Sequence, residues 1–310
     1  MESRIKKYST GSTGRHETFV PRYGWLTKGY SQCIEDPDVF KGDNGVVALG
    51  VGKNMVRAIR FWCLFLGLLG LDDKGRLIPT LLGKKLIGQE ISGKNKIDWE
   101  SGWDPYLEDE ASLWLLHWQI FIHPEMAVSW PLAFNFLTLQ TFSAQDLGAG
   151  IIKAALDDER LSKLSPNSYK KDAVCILHMY RPPADRDAEI HCPFNYLGLI
   201  EKTQEKGQFR FSIKEHRNLP ALIFLAACFS FIEASKISGQ TVNLNTLAYD
   251  KDSPGAAFKL PETECGKLLD QAVSNFDDLH FVESAGALQL HFSGKPQDWY
   301  WKCLAVYYGE

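Results

Sequence analysis

Residues 50–87, GVGKNMVRAIRFWCLFLGLLGLDDKGRLIPTLLGKKLI, carry the reading that decides the fold. Met55, Val56, Ile59, Trp62, Cys63, Leu66 and Leu69 recur at intervals of three and four, the buried stripe of a helix predicted over 53–69. Lys53, Asn54, Arg57 and Arg60 fall together on another face of that helix. After Gly70, residues 71–78 read as a tight hairpin turning at Lys74-Gly75, and Thr80 opens a further short helix through Ile87. Upstream, 24–33 is predicted as a short helix ended by the turn-rich Glu35-Asp36-Pro37-Asp38.

Helix, short turn, helix with a basic outer face, then hairpin is the order of a winged helix. In such modules the second helix enters the major groove while the hairpin lies along the phosphates. Lys53, Asn54, Arg57 and Arg60 are then the reading face, since Asn pairs with adenine and Arg with guanine, and Lys74 and Arg76 sit on the wing. The same order also serves protein–protein modules, and any surface helix exposes some charge.

Charge favours the nucleic-acid reading. The whole chain of 310 residues carries a net −4, yet residues 1–90 hold 14 Lys and Arg against 9 Asp and Glu, and the remainder 20 against 29. A basic front on an acidic body suits one module that neutralises phosphates. With 45% hydrophobic residues the chain is long enough for two or three domains.

The expected architecture is mainly α with small β-hairpins, an α+β fold built on winged-helix modules. Residues 1–15, rich in Ser, Thr and Gly, are expected as a flexible arm, 16–90 as the winged helix and 91–102 as a polar linker. Residues 103–147 form a helical middle, with Leu113, Trp114, Leu116, His117, Ile120 and Phe121 on a buried face and another helix from Trp130 to Phe136. Residues 148–310 form a C-terminal helix-hairpin domain: a helix over 169–180, a hairpin within 196–213 turning at Lys206-Gly207, a helix over 261–274, and strands near 279–282 and 287–292. A second winged-helix-like unit is among the options there.

Seven scattered cysteines, mostly in apolar runs, suit reduced thiols in a cytosol, so a cytoplasmic location is expected. The N-terminal stretch lacks an apolar signal segment, and the most apolar run, 219–232, is interrupted by Pro220 and too short to span a bilayer. No membrane partner is expected. Neither a phosphate-binding glycine loop nor a dinucleotide fingerprint occurs, so ATP and NAD are not expected as cofactors.

Three constellations offer chemistry. His16, Glu17 and Arg22 provide a base, a metal ligand and a phosphate clamp for a phosphodiester reaction; the alternative is an arm packed by Phe19 and Trp25 with Arg15 and Arg22 on phosphates. Asp104, Glu108, Asp109 and Glu110 provide oxygens for Mg or Mn, with Asp104 and Glu108 the candidate ligands, although acidic residues at a helix start also favour the dipole. Cys175 and His178 with His191 and Cys192 have the ligand types for zinc, against a plain core reading.

Several stretches together resemble a bacterial family long labelled only as a domain of unknown function: His16-Glu17-Thr18-Phe19, Arg22 to Leu26, Gly50 to Val56, Trp103 to Asp109, Leu113 to Trp118 and Ser253-Pro254-Gly255. Its members stand beside PAPS-reductase-like sulfur-transfer proteins in DNA phosphorothioation and phage-defence clusters. The resemblance, covering nearly the whole chain, implies an SspB-like DNA-nicking component whose partners are duplex DNA and the other phosphorothioation proteins, with a homodimer allowed. The competing class is a non-enzymatic DNA-binding adaptor or transcriptional regulator that recruits the sulfur-transfer enzyme.

Overall fold

The computed structural model describes residues 6–183, 192–284 and 286–310. The chain divides into two compact units, Met1–Arg210 and Phe211–Glu310.

The first unit begins with α1 (Trp25–Glu35), α2 (Asn44–Leu49) and α3 (Lys53–Phe65), followed by the hairpin β1 (Leu69–Leu71) and β2 (Leu77–Pro79) and by α4 (Leu81–Leu86). The apolar stripe of α3 is buried as its period requires: Val56, Ile59, Trp62 and Cys63 are all within a few per cent of full burial. Complete burial of such a side chain contributes about 1.5–3 kcal/mol. Gly29 lets α1 close on that stripe, since a Cβ there would stand 2.5 Å from Ile59 Cγ2 and 2.8 Å from Cys63 Sγ. The helix stops at Phe65, short of the expected Leu69, because β1 starts there and Leu69 pairs with Pro79 in the hairpin.

Asp72 builds the hairpin turn. Its Oδ1 accepts the backbone N–H groups of Lys74 and Arg76, and its Oδ2 accepts Arg76 Nε at 2.7 Å. These donors, the Arg76 backbone N–H foremost, hold its carboxyl below the usual carboxylate range.

Residues expected as a polar linker form a second hairpin, β3 (Gln89–Ile91) with β4 (Lys96–Asp98). Then come α5 (Glu110–Ile122), α6 (Ser129–Phe136), α7 (Ala144–Ala155) and α8 (Pro166–Tyr180), and the hairpin β5 (Ile200–Lys202) with β6 (Phe209–Phe211). Asp109 caps α5 by accepting the Ala111 N–H, and α7 begins with a reciprocal capping box between Ser143 and Asp146. Edge-on aromatic packing joins α3 to α6: the Trp130 ring lies 5.8 Å from Trp62 and 5.6 Å from Phe65.

The described part of the N-terminal arm differs from the flexible segment expected of its composition. Tyr8 is fully buried, Ser9 bonds to Asp158, and Ser12 pairs with Glu125 and Val128 through backbone hydrogen bonds of 3.0 and 3.1 Å. Small residues serve here because the arm lies tightly against its neighbours: a Cβ on Gly11 would stand 2.7 Å from that of Val128.

The second unit runs α9 (Ala221–Ala234), β7 (Thr241–Asn243), α10 (Leu244–Tyr249), α11 (Pro254–Phe258), α12 (Glu262–Val273), β8 (His280–Ser284), β9 (Ala287–His291) and α13 (Pro296–Tyr308). Its antiparallel sheet has the order β7-β9-β8. The fold is thus α+β, helices with small antiparallel sheets. Among the described residues no helix is long and apolar enough to cross a membrane.

Candidate nucleic-acid interface

On α3, Lys53, Asn54 and Arg57 are exposed and Arg60 is half-buried, the arrangement their spacing demands. Lys53 Nζ lies 3.3 Å from Asp43 Oδ1 in an exposed pair. Arg57 Nη1 lies 3.7 Å from Glu17 Oε1. Beside this face opens a cleft of about 520 Å³, lined by Arg15 and Glu17 of the arm, Arg57, Arg60, Phe61 and Leu64 of α3, residues 69–71 of β1, Thr80, His123 and Met126. Three arginines against one carboxylate give the cleft a net positive lining among apolar walls, a setting with the chemistry to take an anion. Burial, with the neighbouring Arg15 cation, holds the Arg60 guanidinium below its ordinary value.

His16 sets the position of the arm. Its imidazole is fully buried, with Nε2 2.8 Å from Asp172 Oδ1. Nδ1 accepts the Thr18 backbone N–H at 3.1 Å, which assigns the donor role to Nε2. The rings of Phe61, Trp62 and Trp130 stand about it at 5.8–6.3 Å. Asp172, buried as well, also accepts the Gly14 N–H at 2.9 Å and the Ser129 hydroxyl. Glu17 and Thr18 follow with φ of 51° and 67°, left-handed values uncommon for side-chain-bearing residues. The buried His16 below and the Thr18 bond to its ring hold this turn, which leaves Arg15 and Glu17 facing the cleft.

The expected role of His16 as a base is therefore corrected: a buried imidazole bonded to Asp172 cannot reach a phosphate, and it acts as a positioning residue. Arg22 is not in the cleft; its guanidinium lies over the Phe19 and Trp25 rings at 5.8 and 5.2 Å. Lys74 is exposed at the hairpin tip, whereas Arg76 is tied back to Asp72.

The candidate metal ligands Asp104 and Glu108 lie in different settings. Asp104 is nearly buried, and its oxygens accept the N–H groups of Glu108 and Asp109 and the Ser112 hydroxyl, a loop-to-helix anchor, while the Glu108 side chain is exposed. Of the zinc set, Cys175 and Cys192 are both buried and near enough for Cys192 to add to the desolvation that pushes the Cys175 thiol up, His178 is exposed, and His191 lies outside the described residues. Among the described residues no three His, Cys, Asp or Glu side chains are grouped to hold a metal ion. Sequence reasoning did not single out Asp172 or His123; their sequence distance from the arm leaves no spacing signal.

Two solved structures are similar to this chain. One, described as an SspB crystal structure, is 32% identical, with 98% of this chain and 91% of that chain covered and a TM-score of 0.86. The other, a magnesium ion-bound SspB crystal structure, is 31% identical, with 99% and 91% covered and a TM-score of 0.88. No curated protein matches the sequence. Residues 14–308 match the model of the family described as a protein of unknown function, DUF4007, and the chain belongs to that family.

Proposed function

We propose that this chain is a duplex-DNA-binding component of a bacterial DNA phosphorothioation and phage-defence system, and that it nicks one strand for sulfur modification. Its partners in this reading are duplex DNA and a PAPS-reductase-like sulfur-transfer enzyme. The observation that carries the proposal is the cleft in which Arg15, Arg57 and Arg60 converge beside the exposed face of α3. The α2–α3 pair with the β1–β2 hairpin serves as the winged helix: Lys53 and Asn54 reach the groove, Lys74 meets the backbone, and a phosphate enters the arginine cleft. The second unit has a helix-and-strand order of the same kind, but its α12 exposes Thr263, Lys267, Asp270 and Gln271, a face without the excess of cations that phosphates require.

The magnesium ion bound in a similar structure supports a metal-assisted cut. Magnesium typically takes one or two carboxylates together with substrate phosphates and water, so a prearranged cluster of ligands is not required. Glu17 is the carboxylate of the cleft and fits as that ligand; the ion would add Lewis-acid stabilisation of the phosphate.

The second reading is a non-enzymatic DNA-binding adaptor or regulator that recruits the sulfur-transfer enzyme. Supercoiled plasmid incubated with the protein in Mg²⁺, Mn²⁺ or EDTA decides between the two. Open circles that need the metal support nicking, and binding unaffected by EDTA with no open circles leaves the adaptor. Absence of duplex binding refutes both.

A further inference from the structure

The cleft holds an imidazole that the sequence did not single out. Helix α5 ends at Ile122, and Pro124 prevents its continuation, so His123 takes a non-helical φ of −116° and ψ of 51° with its N–H on the Gln119 carbonyl. The turn that follows is bound to the N-terminal arm. Ser12 donates its N–H to the Glu125 carbonyl at 3.0 Å and its hydroxyl to the Met126 carbonyl at 2.8 Å, and accepts the Val128 N–H at 3.1 Å. The segment bearing Arg15 and Glu17 and the segment bearing His123 are therefore one hydrogen-bonded unit.

His123 is about 41% exposed and lines the cleft with the three arginines. Its Nδ1 lies 3.8 Å from Glu125 Oε1, and the His123 side chain holds the Glu125 carboxyl below its usual range. With Nδ1 turned to that carboxylate, Nε2 is the ring nitrogen left to meet a ligand. A carboxylate behind one ring nitrogen sets tautomer and orientation for proton transfer at the other.

We infer that His123 is the general base of a phosphodiester-cleaving site in this cleft, positioned by Glu125, with Arg15, Arg57 and Arg60 holding the scissile phosphate. The inference rests on the nicking reading. A water oxygen forms the new bond to phosphorus and gives its proton to His123 Nε2. The phosphorus–oxygen bond to the leaving deoxyribose breaks with its electron pair, and that oxygen takes a proton from solvent. One phosphomonoester end and one hydroxyl end result, and His123 returns its proton to water. The arginines meet the charge that builds on the phosphoryl oxygens.

The test compares wild type, His123→Ala, His123→Gln and Glu125→Gln in duplex binding by fluorescence anisotropy and in plasmid nicking. His123 is at the surface, so its variants should fold and bind DNA as wild type does while nicking about 10²–10⁴-fold more slowly. Added imidazole should restore part of the His123→Ala rate, and Glu125→Gln should lose less. A His123 variant that nicks at the wild-type rate, or a loss that imidazole does not relieve, overturns the inference and leaves the nicking reading standing. A wild type that binds DNA but never nicks removes that reading and this inference together.

Discussion

Removing the Asp172 carboxylate tests the anchor that positions the cleft. Three donors converge on it: the Gly14 N–H at 2.9 Å, His16 Nε2 at 2.8 Å and the Ser129 hydroxyl. In Asp172→Ala the serine hydroxyl can rotate, but the other two donors are left in a fully buried site. Each orphaned buried donor costs about 1–3 kcal/mol, so the loss should be about 2–6 kcal/mol. For a unit of this size each kcal/mol lowers Tm by roughly 2–4 °C. Asp172→Asn retains one oxygen for Gly14 and His16, and its amide can donate to the Ser129 oxygen, so its loss should stay near 1 kcal/mol, about the strength lost with the charge. Calorimetric melting and urea titration of the two variants measure this contrast. Equal losses, or an alanine variant as stable as wild type, would refute the claim that the buried network holds the arm.

Other predictions follow from packing and ionisation. Gly83→Ala places a Cβ 2.3 Å from the Leu68 carbonyl oxygen and 2.6 Å from Tyr30 Cε2, so it should lower unfolding free energy by about 1–3 kcal/mol in a urea melt. Desolvation, helped by the Lys251 charge, lowers the Lys259 ammonium to about 7. The unfolded chain thus holds this proton up to its ordinary lysine range while the folded chain releases it near neutrality, so the Lys259 contribution to stability rises between pH 7 and about 10. Lys259→Met should remove that rise, read as the pH-dependent difference between wild-type and variant urea melts. All seven cysteines are buried, and native protein should give no fast reaction with a thiol-specific reagent, against seven equivalents in denaturant.

Local periodicity made α3 and its charged face legible, because a helix crossing a core must repeat its apolar residues at three and four. The β1–β2 hairpin was legible from its Lys74-Gly75 turn. The β3–β4 hairpin was not, since its strands are three residues long and largely exposed, leaving no alternation to read. His16 and Glu17 stood out as adjacent functional side chains, but a sequence does not show that one is turned inward and the other outward. That division depends on Asp172, 156 residues further along the chain. The carboxylates at 104–110 drew attention by density alone, and the observed bonds make Asp104 and Asp109 loop and helix-end anchors. His123 lacked any neighbour that would mark it, because its companions come from the arm and from α3.

The central claim is that the arginine cleft grips the DNA backbone, and salt dependence of duplex binding tests it most directly. Each phosphate contact contributes about 0.9 to the slope of log K against log salt, so Arg15→Gln/Arg57→Gln/Arg60→Gln should weaken binding and flatten that slope by up to about 3. A triple variant with an unchanged melting temperature and the wild-type slope and affinity would contradict the account.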